Sequence, residues 1–188
     1  MKTFDEETYT RIVAKIRSWD TQQYPDIYAL SFLYSTGFCQ DIEGNDICVE
    51  DGLSVTFNTT SHYLSQIGQA SDALEAKWNY AFWLQKDQAD MPQFHFREYG
   101  YVNPDDWALR QSWLVEQGTD EDGVSDALLE CYTRIAQRLH HENILVEKLG
   151  RSVPIIIHDL EYEERGDIAT RRANPEALLT EYLAEWFS

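Results

Sequence analysis

The sequence predicts an α+β fold: an antiparallel sheet of four to five strands flanked by helices, in a single domain over residues 1–188. Three observations lead there. Apolar residues recur at three- and four-residue intervals in several stretches, which is helical spacing. Between them lie runs rich in β-branched and aromatic residues, such as IYALSFLYS (27–35), LSVTFNT (53–59) and VPIIIHDL (153–160), the composition of strands. Hydrophobic side chains make up 43% of 188 residues, enough for one substantial core and short for two.

The elements follow in order. Phe4, Tyr9, Ile12, Val13, Ile16 and Trp19 mark one face of a first helix. Thr3 is its expected cap, and Asp5, Glu6 and Glu7 suit its positive end. Tyr24-Pro25-Asp26 interrupts the chain before the strand at 27–35. Ile42 and Ile47 flank E-G-N-D, where Gly44 and Asn45 tolerate positive φ, so a hairpin or a loose turn is expected there, with Cys48 and Glu50 pointing away from Ile47 and Val49. The run 53–59 reads as a further antiparallel strand. From Ser61 to about Leu84 the pattern is helical, with a break at Gly68 and a new cap at Ser71. Leu74, Trp78, Ala81 and Phe82 then form an apolar stripe.

Residues 90–106 read as an irregular connection with a short edge strand at Phe94–Tyr99, and Asn103-Pro104 opens a short helix carrying Trp107 and Trp113. After the loop GTDEDG (118–123), the residues Val124, Leu128, Cys131, Ile135 and Leu139 predict a helix running towards Glu147, ended by Gly150. The strand 153–160 is apolar throughout, as a fully buried strand is. Asn174-Pro175 then reads as cap and first residue of a last helix, with Leu178, Tyr182, Leu183 and Trp186 on one face.

Charge is the outstanding property. There are 33 acidic residues against 15 basic ones, for a net charge of -18, and self-repulsion of that size opposes folding. The acids are also segregated. From Arg17 to Lys77 there is no intervening Lys or Arg, while Asp20, Asp26, Asp41, Glu43, Asp46, Glu50, Asp51, Asp72 and Glu75 all fall in the gap. Direct nucleic-acid binding and an anionic membrane surface are disfavoured, since both need clustered bases. The start MKTFDEETY lacks the apolar run of a signal peptide and no stretch is of membrane-spanning length. Cys39, Cys48 and Cys131 form no C-x-x-C pair, so free thiols in a reducing cytoplasm are expected.

Motifs for chemistry are absent from the sequence. Counting from Asp41, the sixth residue is Asp46 and the twelfth Gly52, whereas a calcium loop of the EF-hand type needs Gly and Glu there. His140 and His141 are adjacent, and adjacent helical residues diverge by about 100°. His95 and His158 with the thiols are a further weak metal set, and no H-x-x-x-H, H-E-x-x-H, G-x-S-x-G, phosphate-binding or dinucleotide glycine pattern occurs. No metal, no cofactor and no catalytic residues are therefore expected. What remains is three carboxylate clusters in or beside loops: Asp41–Asp51; Asp120, Glu121 and Asp122; and Asp159, Glu161, Glu163 and Glu164.

The ordered set of opening helix, IYALSFLYS, VTFNTTSHY, EAKWNYAFW, and IIIHDLE followed by R-A-N-P resembles an uncharacterised bacterial family of unknown function. Members of that family occur among the immunity proteins of polymorphic-toxin and contact-dependent growth inhibition loci. Trp78 and Asn174-Pro175 are its most specific points, and they look structural. The acid-rich stretch 39–51 lies outside the resemblance.

The resemblance implies a cytoplasmic immunity protein, not an enzyme. The charge implies its mode of action: occlusion of a basic protein partner, a cognate toxin domain such as a nuclease. The expected contact residues are Asp41, Glu43, Asp46, Glu50, Asp51, Asp120, Glu121 and Asp122. An acidic adaptor for a non-toxin partner and a small hydrolase of unknown substrate are alternative readings, and a merely solubilising surface accounts for the charge alone.

Overall fold

Two 14-residue strands and a short third one form the sheet on which everything else is assembled. The structure is a computed structural model that describes residues 3–40, 46–84, 97–98, 101–102, 104–118, 124–159 and 164–186. Helix α1 (Phe4–Ser18) starts where Thr3 accepts from the Glu6 amide, and it carries its acids in the first turn and Lys15 and Arg17 in the last. Strand β1 (Ile27–Gln40) pairs antiparallel with β2 (Asp46–Thr59), in a register that places Phe32 opposite Val55 and Tyr34 opposite Leu53. Strand β5 (Ile155–His158) joins the other edge of β1 in parallel, between Leu30 and Leu33, giving the order β2-β1-β5.

The α+β class therefore holds, but the expected sheet of four to five antiparallel strands does not. Among the described residues the main sheet has three strands, one of them parallel. The strands expected at 27–35 and 53–59 do pair antiparallel, but 47–49 and 53–59, expected as separate strands, are one continuous strand, because Gly52 pairs in register with Ser35 and interrupts nothing; the turn expected at E-G-N-D lies, but for Asp46, outside the described residues. The edge strand expected at Phe94–Tyr99 is represented by β3 (Arg97–Glu98), which among the described residues pairs only with β4 (Tyr101–Val102); the rest of that expectation lies outside the described residues.

Why the sheet stops at β5 is visible in helix α7 (Glu164–Ala173), a stretch for which the sequence predicts no element. Gly166, Thr170 and Asn174 follow one another at four-residue spacing along the open edge of β5. A Cβ on Gly166 would sit 2.9 Å from the Ile157 carbonyl oxygen, so only glycine lets the helix come this close. The Thr170 hydroxyl accepts from the Ile157 amide (2.8 Å) and donates to the Ile157 carbonyl (3.0 Å). Asn174 Oδ1 accepts from the Ile155 amide (2.8 Å), and its Nδ2 donates to the Ile155 carbonyl (2.7 Å). Side chains of a helix thus take the place of a fourth strand, satisfying backbone groups that burial would otherwise penalise. Asn174 is not the cap the sequence suggested. Its amide turns to the sheet, Glu176–Leu178 forms a 3-10 turn, and helix α8 begins later (Thr180–Trp186).

Helices cover both faces of the sheet. On one face, Leu30, Phe32, Tyr34, Leu53, Val55, Phe57, Ile155 and Ile157 pack against α1, against α4 (Pro104–Gln117) through Trp113, and against α5 (Val124–His141). The α4 helix is longer than the short one expected. The helix predicted to run from 124 towards Glu147 is broken: Asn143 adopts φ 57, and α6 (Ile144–Leu149) restarts beyond it, ending at Gly150 with φ 73. On the other face Ala29, Ile156, Trp78, Tyr80, Trp83, Leu179 and Tyr182 form a second cluster. Here α2 (Thr60–Gln66) passes through a 3-10 turn to α3 (Ala73–Trp78), capped by Asp72 and not by Ser71. Asn79 ends α3 in an extended conformation, so Tyr80 and Trp83 are buried, while Ala81 is exposed and Phe82 only half-buried. The predicted stripe of Leu74, Trp78, Ala81 and Phe82 fails beyond that break.

One core position works against stability. Lys15 lies 8% exposed on α1, its Nζ has no hydrogen-bond partner among the described residues, and burial pulls its pKa down to about 8. The folded chain releases this proton more readily than the unfolded chain, so the penalty is complete below pH 8 and fades towards the ordinary lysine value. Lys15→Met is expected to raise stability by about 2 kcal/mol at pH 7, a gain of about 5 °C in Tm. A melting curve that does not move would mean that the ammonium reaches water.

Candidate interaction surface

The described parts of the acid-rich stretch, residues 39–40 and 46–52, belong to the far half of the β1–β2 pair. The hairpin spans 27–59 and its sequence contains no Lys or Arg. Strand β5 accompanies β1 only from Leu30 to Leu33. Beyond Tyr34, β1 pairs with β2 alone among the described residues, so this half is a two-stranded ribbon.

The register places three of the predicted contact residues on it. Asp46 lies opposite Gln40, Glu50 opposite Gly37 and Asp51 opposite Thr36. Successive strand residues alternate between faces, so Glu50 and Asp51 belong to opposite faces of the ribbon. Between the pairs Cys39–Cys48 and Gln40–Asp46 the register shifts, leaving Ile47 as an extra residue, a bulge of the kind that twists a strand end. Asp41 and Glu43, and with them Asp120, Glu121 and Asp122, lie outside the described residues. The last three fall between Gly118 and the start of α5.

The third predicted cluster is divided. Asp159 is half-buried and accepts from the Tyr34 hydroxyl (3.2 Å). Glu164 is the exposed first residue of α7. Glu161 and Glu163 lie outside the described residues.

Much of the positive charge is neutralised on the helical side. Arg138 bonds Glu6 (2.8 Å) and Glu142 (2.6 Å), Arg134 bonds Asp5 (2.7 Å), and Arg172 bonds Glu130 (2.7 Å). Arg17 pairs with Glu147, Arg165 with Asp126 and Lys77 with Glu181. The hydrogen bond from Arg172 holds the Glu130 carboxyl below its ordinary range, and hydrogen bonds from Tyr9 and Arg138 do the same for Glu142. Exposed pairs of this kind add little stability. Their effect is on the field: these bases are cancelled along α1, α3, α5 and α7, whereas the hairpin sequence has no base of its own.

Histidine chemistry considered from the sequence is committed elsewhere. His140 bonds Ser152 (3.1 Å) and Asn174 (3.0 Å). His158, 4% exposed, bonds the fully buried Ser31 hydroxyl through Nε2 (2.8 Å). Its Nδ1 lies 2.9 Å from the Asp159 carbonyl oxygen. That oxygen can only accept, so Nδ1 carries the proton and Nε2 accepts from Ser31. The sequence reading did not find this serine–histidine couple, because the partners are 127 residues apart. Both groups are sealed in the core, where they tie β1 to β5. Among the described residues no group of three or more His, Cys, Asp or Glu is placed to hold a metal ion, and no helix is long and apolar enough to cross a membrane.

Comparison of the chain with protein-family models, with curated proteins and with solved structures finds no match.

Proposed function

We propose that this chain is an immunity-type inhibitor that uses the far half of its β1–β2 hairpin to occupy a basic face on a protein partner, a cognate toxin domain such as a nuclease. The supporting observation is the hairpin itself: Asp46, Glu50 and Asp51 sit on both faces of a ribbon without Lys or Arg, while arginines on the helices are engaged with their own carboxylates. A nuclease groove must present cations to hold phosphates, and the same cations attract a carboxylate-bearing ribbon. Fields of this kind accelerate association by about 10–10³. No turnover is required of the inhibitor.

The test is a triple charge reversal, Asp46→Lys with Glu50→Lys and Asp51→Lys. The partner is the C-terminal domain of the large secreted protein that the immunity reading places immediately upstream. Association should slow by about tenfold or more, and its dependence on salt should become shallower. Unchanged association would remove the hairpin from the interface. A neighbouring gene of another kind would sink the toxin half of the proposal and leave the acidic interface to be tested on other basic proteins.

A further inference from the structure

Among the residues of the ribbon, Cys39 and Cys48 stand directly opposite each other as the last regular pair before the bulge. Opposite Cα atoms of an antiparallel pair are about 4.5 Å or 5.5 Å apart, depending on the kind of pair. Both spacings fall within the roughly 4.4–6.8 Å that a disulfide spans. The Cα spacing of the pair therefore suits a disulfide, most closely where the pair is of the nearer, non-hydrogen-bonded kind. We infer that Cys39 and Cys48 form a reversible cross-strand disulfide that staples the far end of the hairpin under oxidising conditions.

The odd cysteine count, expected as three free thiols, then divides into a pair and a single residue. Cys131 is the single one. It is fully buried on α5, its thiol donates to Asp5 (3.3 Å), and burial raises its pKa well above the ordinary thiol range. Thiolate is the nucleophile in disulfide exchange, so Cys131 is inert in the folded protein.

The ribbon also has a use for the staple. A two-stranded hairpin is marginal in water when no third strand supports it, and β5 supports β1 only as far as Leu33. The bond would close a ring around residues 40–47, which include Asp41, Glu43 and Asp46. The inference rests on the register and is independent of any partner.

The chemistry balances with a disulfide oxidant such as oxidised glutathione. One cysteine thiolate attacks a glutathione sulfur, forming a mixed disulfide and releasing one glutathione thiolate. The second cysteine, after losing its proton, attacks the protein-bound sulfur of that mixed disulfide and releases the second glutathione. The protein loses two protons and two electrons, and oxidised glutathione is reduced to two thiols. Excess reduced glutathione reverses both steps.

The experiment incubates the full chain in glutathione buffers of graded ratio, quenches with an alkylating agent and maps the peptides by mass spectrometry. The expected product is a Cys39–Cys48 linked peptide that disappears on reduction, with Cys131 alkylated only after denaturation. In Cys39→Ser the remaining Cys48 should accumulate a glutathione adduct, because nothing resolves it. Amide exchange over 38–49 should slow by about tenfold in the oxidised protein. Separate glutathione adducts on Cys39 and Cys48 of the unsubstituted chain, two free thiols in excess oxidant, or a bond to Cys131 would each overturn the inference.

Discussion

Asn174→Ala is expected to destabilise the protein by about 4 kcal/mol, a large fraction of the 5–15 kcal/mol typical of a folded domain. The amide of Asn174 uses all of its hydrogen-bonding capacity. Oδ1 accepts from the Ile155 amide and from His140 Nε2, and Nδ2 donates to the carbonyls of Ile155 and Thr170. Alanine would remove all four bonds and strand the Ile155 amide and carbonyl on the open edge of β5. Ile155 and Thr170 are fully buried, so water cannot replace the lost bonds without opening the seam between α7 and β5. Each stranded group costs about 1–3 kcal/mol, and relaxation recovers part of the sum. Asn174→Asp sharpens the test. It keeps the shape and the acceptor oxygen but faces two carbonyls with a carboxylate, so it should be at least as damaging as alanine at pH 7. Urea unfolding of both variants measures the loss, and amide exchange at Ile155 locates it. A loss below about 1 kcal/mol for alanine would mean that the β5 edge is held by α7 packing alone.

That seam also shows why the sequence revealed some elements and hid others. Helices α1 and α5 were legible because Ile12, Ile16, Leu128 and Ile135 repeat at helical spacing and face a large apolar core. Helix α7 was not, because its inward residues are Gly166, Ala169, Thr170 and Ala173. A helix that approaches a strand closely needs small side chains, so it carries no hydrophobic stripe. The signal was present as small residues at four-residue spacing, ending in the Asn174 that the sequence reading marked as structural. Counting strands failed for a related reason: a strand edge can be completed by side chains, and Thr170 and Asn174 complete this one. The end of α3 turns on Asn79, a local capping choice that periodicity does not register. At the candidate interface, the lack of Lys and Arg from 18 to 76 was readable. The pairing of Asp46, Glu50 and Asp51 along one ribbon was not, because register depends on contacts between distant residues.

Acid should weaken the fold before its carboxylates titrate, and His158 should be the cause. Burial pulls the His158 pKa down to about 4, and the nearby Asp159 only partly opposes it. The ring packs against Tyr80 at 4.7 Å, and its two nitrogens are committed to Ser31 and the Asp159 carbonyl, with no site for a second ring proton except the one Ser31 now occupies. The unfolded chain takes up a proton near pH 6.5, and the folded chain refuses it until about pH 4. Stability is therefore complete above pH 6.5 and falls as pH drops through that interval, by about 3 kcal/mol in all. His140, also lowered by burial, adds to the same slope. Glu130 and Glu142, held below the ordinary range by their hydrogen bonds, lose their contribution only at lower pH. Urea midpoints measured from pH 7.5 to 4.5 should fall steadily in the unsubstituted protein. His158→Gln should start from a lower value and show a slope reduced by about one proton. Parallel slopes would place the charged imidazole in contact with water, and the Ser31 bond would then be one that opens in solution.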